Sequence, residues 1–250
     1  MPSEHWYNIL KLVGNMKSVI IITPTTGDKT LEKCVSSVNC QTYPNLVHLV
    51  VADGPQFVLN TKIIIEDASK VKFLPLVENT GANGYNGHRI YAAAGHLVNQ
   101  DYIIYLDQDN WFDDNHVETM LKTIEENNLD WCYSLRKICD KEGNYLFNDD
   151  CESLGKWAAY INPNVYHIDT NCYCIKREIA INLSSVWHRG WDADRMFYRT
   201  LNHYFPKYDT TGKYTVNYRL GGNESSVTKE FFDRGNDIMA KKYQSFPWRK

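Results

Sequence analysis

Apolar residues come in solid blocks in the first half of the chain and in looser alternation in the second. Residues 18–23 (SVIIIT) form a continuous β-branched run, which predicts a strand covered on both faces, with Pro24 at its end. Residues 28–40 place Leu31, Val35 and Val38 at helical spacing. A second strand is predicted over 46–52, stopped by the turn Asp53-Gly54-Pro55, then a helix over 60–69 and a short strand over 71–77. The small polar loop 79–84 opens a predicted helix over 86–99. A strand over 102–106 and a helix over 113–127 with an acidic first turn follow.

Strand and helix thus alternate about four times through short connections. That pattern predicts an α/β fold with a doubly wound, mainly parallel sheet and flanking helices. Beyond residue 130 the predicted strands are 130–137, 169–176 and 213–219. A hairpin turn falls at 140–144, a short helix begins at Arg177, and longer helices are expected over 192–204 and 225–243. No linker or repeat divides the chain. It reads as one domain, residues 1–250, with a regular half over about 17–130 and a less regular half over about 131–250.

Composition narrows the class. A formal net charge of -3 gives no basic footprint for nucleic acid. No apolar run reaches the ~18 residues of a membrane span. Residues 1–17 lack the layout of a signal peptide and fit an amphipathic helix (Trp6, Ile9, Leu10, Val13) packed on the domain. The seven cysteines show no CxxC spacing and read as reduced core residues, which points to a cytoplasmic setting, with peripheral membrane association left open.

The candidate chemistry collects where predicted strands end. Asp107 and Asp109 follow the strand 102–106 at i, i+2, so both carboxylates face one side, as a hard cation such as Mn²⁺ or Mg²⁺ holding a diphosphate requires. The competing reading is a polar turn capping the next helix. Asp53 ends the second strand and could accept a hydrogen bond from a nucleobase N–H, and Thr23 ends the first. Arg89 follows the glycine-bearing loop, whose spacing matches neither GxGxxG nor a P-loop. Residues 187–195 (WHRGWDADR) combine acids and tryptophans, as a sugar-transfer site needs a carboxylate base and aromatic faces. Asp194 is the first candidate base and Asp192 the second. Trp111, Asn171 and Trp191 are candidate contacts to sugar or acceptor, and His167 and His203 are the histidines considered near the site.

Taken in order, these segments resemble the GT-A glycosyltransferases of family 2 over most of residues 17–200. Val19 to Thr25, with Pro24 and Thr25 at its end, looks like the family's first strand. Residues 51–55 (VADGP) are similar to its DDGS turn, with Ala52 in place of the first acid. The segment from Asn83 to Arg89 looks like the stretch ending in an arginine near the nucleotide, and Asp107-Gln108-Asp109 matches the DxD motif. Residues 191–195 stand where the family has an ED base motif, with Ala193-Asp194 replacing Glu-Asp. The resemblance implies a metal-dependent, inverting transfer from a nucleotide-sugar donor, a UDP-sugar such as UDP-glucose, to a hydroxyl of a glycan or other acceptor. It implies that Arg89 and the ion hold the diphosphate while an Asp takes the acceptor proton. The rival expectations are a non-catalytic nucleotide-sugar-binding module and a sugar-nucleotide pyrophosphorylase.

Overall fold

The computed structural model describes residues 16–188, 190, 192–221 and 227–250. The amphipathic segment expected before residue 16 lies outside these, as does most of the loop around Gly222 and Asn223. The elements in chain order are β1 (Val19–Thr25), α1 (Leu31–Asn39), β2 (Leu46–Ala52), α2 (Val58–Ile64), β3 (Val71–Pro75), α3 (His88–Leu97), β4 (Tyr102–Tyr105), β5 (Trp111–Phe112) and α4 (His116–Glu126). Then come β6 (Trp131–Cys139), β7 (Tyr145–Asn148), β8 (Tyr173–Lys176), α5 (Arg177–Asn182), α6 (Ala193–Tyr204), β9 (Tyr208–Arg219) and α7 (Lys229–Lys242).

The strands form one nine-stranded mixed sheet in the order β3-β2-β1-β4-β8-β6-β9-β5, with β7 on β6. β1 to β4 run parallel, and β8 is antiparallel to both β4 and β6. Two reversals restore direction, so β6 and β9 point the same way as β1. The carboxyl ends of β1, β2, β4, β6 and β9 therefore share one edge with the amino end of β8. In open α/β sheets that edge is where ligands collect.

The β-branched block of β1 is buried along its whole length, as expected of a central strand. The strand does not stop at Pro24 but runs on to Thr25, opposite Ala52 of β2. The reason is local. Leu106 N–H donates to Ile22 O, so the even positions of β1 face β4, and β4 pairs with β1 only as far as Ile22. The proline's missing N–H thus falls where that ladder has opened. The predicted strand over 169–176 is also shorter, because residues 170–172 form a 3-10 turn capped by Asp169 and only 173–176 pair. The helix predicted over 60–69 is shifted and shorter at 58–64. The two-residue β5, too short for any periodicity, was not anticipated.

Helices α1 and α4 bury Leu31, Val35, Val38, Val117, Met120 and Ile124 against the sheet. All seven cysteines are free thiols and six are buried, in line with the sequence expectation. No helix among the described residues is long and apolar enough to cross a membrane.

The second half of the chain carries one steric constraint that can be tested simply. Gly155 has φ +64, and a Cβ there would sit 2.4 Å from the Tyr133 ring. Gly155→Ala should therefore destabilise the protein by roughly 1–3 kcal/mol, read as a lower urea midpoint at an unchanged m-value.

Candidate active site

A cavity of about 520 Å³ opens on the shared strand edge. One wall comes from Pro24 and Thr25 at the end of β1 with Thr26 just beyond, Asp53 after β2, and Asp107 to Asn110 after β4. The loop before α3 adds Gly81, Ala82, Asn86 and Gly87, and the first residue of α3 adds His88. The opposite half contributes Asp169, Thr170, Asp194, Tyr218 and Arg219.

Two of the cavity's carboxylates, Asp53 and Asp107, are held by specific partners. Asp53 accepts from Thr80 N–H and hydroxyl on one oxygen, both at 2.7 Å, and from Gly81 N–H at 2.8 Å on the other. It thereby folds the 79–81 loop onto the cavity. A carboxylate offers about four acceptor positions, so one remains for a ligand donor. The loop must carry glycine at 81, because a Cβ would lie 2.7 Å from Asp53 Oδ2 and 2.3 Å from Asn86 O. Gln108 ties the DxD turn to β1: its Oε1 accepts from Thr25 hydroxyl at 2.6 Å and Thr26 N–H at 3.0 Å.

Asp107 accepts from Tyr91 hydroxyl at 2.6 Å and from Asn171 Nδ2 at 2.9 Å, while its own N–H donates to Asn171 Oδ1 at 2.6 Å. Burial raises the Asp107 pKa. Burial and then the Asp107 charge push Asp109 up to about 7. No ion pair to either side chain occurs among the described residues, and Arg219 meets Asp109 through the backbone, its Nε donating to Asp109 O at 3.0 Å. Two half-buried acids with uncompensated charge on a cavity wall fit a hard divalent cation by donor chemistry. Among the described residues no group of three or more His, Cys, Asp or Glu could hold a metal. Two carboxylates suit an ion that completes its shell with substrate phosphates and water.

Asp194 sits in the first turn of α6 and lines the cavity. Asp192 is exposed just before the helix and does not line it. His88 lines the same cavity. Burial lowers its pKa, against the opposing pull of the Asp107 and Asp194 carboxylates.

Other expectations need correction. Thr23 is fully buried and shares a 2.9 Å hydrogen bond with His48 Nε2, because the pleat turns its side chain into the core, away from the cavity. Asn83 is exposed at φ 62 in the loop's tight turn and stays off the cavity wall. Arg89 lies 3.5 Å over the Tyr85 ring and donates to Thr80 O at 3.3 Å, so it braces the loop instead of facing a diphosphate. Trp111 is buried on β5 with Lys33 Nζ 3.6 Å above its ring, which closes that face to an acceptor. Asn171 is fully buried behind Asp107 and reaches no acceptor. Trp191 lies outside the described residues. His167 and His203 do not line the cavity, whereas His88 does. Trp187 is core, stacked on Phe197 at 4.4 Å.

Arg219, Asp169 and Tyr91 were not singled out from the sequence. Arg219 could have been, as a cation ending a predicted strand. Asp169 required knowing that β8 runs antiparallel, which brings its leading turn to the ligand edge.

Comparison with known proteins places these residues in context. Residues 18–175 match the model of the family described as Glycosyl transferase family 2. Glycosyltransferase GlyA of Streptococcus pneumoniae is 25% identical over 191 residues, covering 72% of this chain and 25% of its own length. The Escherichia coli UDP-Glc:alpha-D-GlcNAc-diphosphoundecaprenol beta-1,3-glucosyltransferase WfgD is 28% identical over 142 residues, 56% of this chain and 51% of its own. Among solved structures, S. aureus TarS 1-349 in complex with UDP-GlcNAc superposes with TM-score 0.64 at 14% identity, over 91% of this chain and 66% of that one. The chain thus spans about a quarter of GlyA and half of WfgD. The likeness to TarS bears out the GT-A type of sheet expected from the sequence.

Proposed function

The chain belongs to glycosyl transferase family 2, and on that footing we propose that it transfers a sugar from a UDP-sugar such as UDP-glucose to an acceptor hydroxyl, with Asp194 as general base. The observation that carries this reading is that Asp107 and Asp109, just after β4, and Asp194, on α6, line one cavity. A donor lying along the strand edge would have its diphosphate at the paired acids and its anomeric carbon toward Asp194. UDP-Glc in the name of WfgD and UDP-GlcNAc in the TarS complex favour uridine among the nucleotides.

Asp53 supports base recognition through its remaining acceptor position, beside Pro24 and Thr25. Asp107 and Asp109 would hold Mn²⁺ or Mg²⁺, and such an ion, when bound, neutralises charge on the leaving diphosphate. Arg219 is the cation placed to share that role in place of Arg89. Asp194 accepts the proton of the acceptor hydroxyl as its oxygen forms the new bond to the anomeric carbon. The bond from that carbon to the diphosphate oxygen breaks, UDP leaves with the electron pair, and configuration inverts. The continuous sheet supports treating both halves as one catalytic domain, and the free thiols suit a reducing, cytoplasmic compartment.

The test is product analysis with UDP-glucose and Mn²⁺. UDP should accumulate, slowly even with water as acceptor, and pyrophosphate release would refute the reading. In the same assay Arg219→Ala should raise the donor KM about 10–100-fold, the loss of a charge-assisted contact to a diphosphate, with a smaller change in kcat.

A further inference from the structure

Behind the cavity wall, Arg136 of β6 is 2% exposed and engaged by three carboxylates. Its Nε donates to Asp149 at 2.8 Å, one terminal nitrogen to Glu152 at 2.5 Å, and the other to Asp169 Oδ2 at 2.5 Å. The second oxygen of Asp169 accepts from Asn171 N–H at 2.9 Å and from Asn171 Nδ2 at 2.8 Å. That same Nδ2 donates its other hydrogen to Asp107 Oδ2 at 2.9 Å, and Asn171 Oδ1 accepts from Asp107 N–H at 2.6 Å.

Every atom in this chain has one assignable role. The amide of Asn171 has its oxygen on a backbone N–H and its two N–H bonds on two carboxylates, so its orientation admits no flip. Asp169 can present an oxygen to Asn171 only while Arg136 fixes its other oxygen and offsets its charge beside Asp107. The amide in turn leaves Asp107 Oδ2 no freedom to rotate.

We propose that Asn171 and the Arg136–Asp169 pair behind it are positioning residues that hold Asp107 in the orientation needed to grip a divalent cation. This rests on the reading of Asp107 and Asp109 as the cation site. Outer partners of a metal-binding carboxylate typically control affinity by ~10–100-fold without touching the ion. Glu152 serves as an internal control, since it binds a guanidinium nitrogen other than the one that reaches Asp169. Its loss weakens the buried cluster and leaves the link to Asp107 in place.

The test measures the Mn²⁺ dissociation constant in the presence of UDP, by the electron paramagnetic resonance signal of free Mn²⁺, alongside metal-free melting curves of the full chain. Asn171→Ala should raise that constant ~10–100-fold. Arg136→Lys, which keeps the charge and loses the forked geometry, should raise it by a smaller factor. Glu152→Gln should lower the melting temperature yet leave Mn²⁺ affinity at the wild-type value. Wild-type affinity in a cooperatively melting Asn171→Ala protein overturns the proposal, and so does an affinity loss in Glu152→Gln equal to that in Arg136→Lys. Failure of the wild-type protein to take up Mn²⁺ overturns the cation-site reading and this inference together.

Discussion

Asp194→Asn should lower kcat for transfer by ~10²–10⁴, the usual worth of general-base help, while UDP binding stays at its wild-type affinity. The split follows from placement. Asp194 stands on α6, an element separate from the strand ends that carry Asp53 and the paired acids, and no hydrogen bond among the described residues joins it to them, so its loss should leave the nucleotide contacts intact. Asn keeps the volume and can still accept the Arg195 N–H bond, made at 2.7 Å, so the first turn of the helix is preserved. Asp192→Asn is the matched control, because its side chain is exposed and off the cavity wall, and it should retain near-normal turnover. Steady-state rates with calorimetric UDP titrations separate the two. If Asp192→Asn is the inactive variant and Asp194→Asn turns over normally, the base assignment is wrong.

Asp107→Asn and Asp109→Asn should each abolish Mn²⁺-dependent UDP binding and reduce kcat/KM by roughly 10²–10³, since charge stabilisation by a bound metal is worth several kcal/mol. A second effect distinguishes Asp109 from an ordinary turn residue. Its folded pKa of about 7 lies above the ~3.9 of an unfolded aspartate, so folding disfavours its charge. That penalty is absent below the unfolded value and is fully developed once the pH has passed the folded one. The metal-free Asp109→Asn protein should therefore melt higher than wild type at pH 8 and no higher at pH 4. A turn that merely caps α4 would give the opposite sign. Scanning fluorimetry at both pH values reads it directly.

The first half of the chain was legible because its signals are local. A buried parallel strand needs an unbroken apolar run, and β1, β2 and β4 each show one that ends in marked polar residues, of which Asp53, Asp107 and Asp109 do line the cavity. What failed was the direction of single side chains. Thr23 and Pro24 differ by one residue and face opposite environments, which only the pleat and the limit of the β4 ladder decide. Arg89 and Arg219 could not be ranked from composition, since one braces a loop through Tyr85 and the other ends β9 on the ligand edge. Asn171 looked like an acceptor contact because nothing in its neighbourhood reveals the antiparallel β8, which turns the 169–171 segment in behind Asp107.

A crystal structure with UDP and Mn²⁺ decides whether the 107/109 acids and Asp194 share one catalytic cavity. A manganese anomalous peak between Asp109, Asp107 and the diphosphate, with uracil against Asp53 and the β-phosphate pointing toward Asp194, is the outcome required here. UDP seated away from the carboxyl ends of β1, β2 and β4, or manganese bound without contact to either acid, would contradict it.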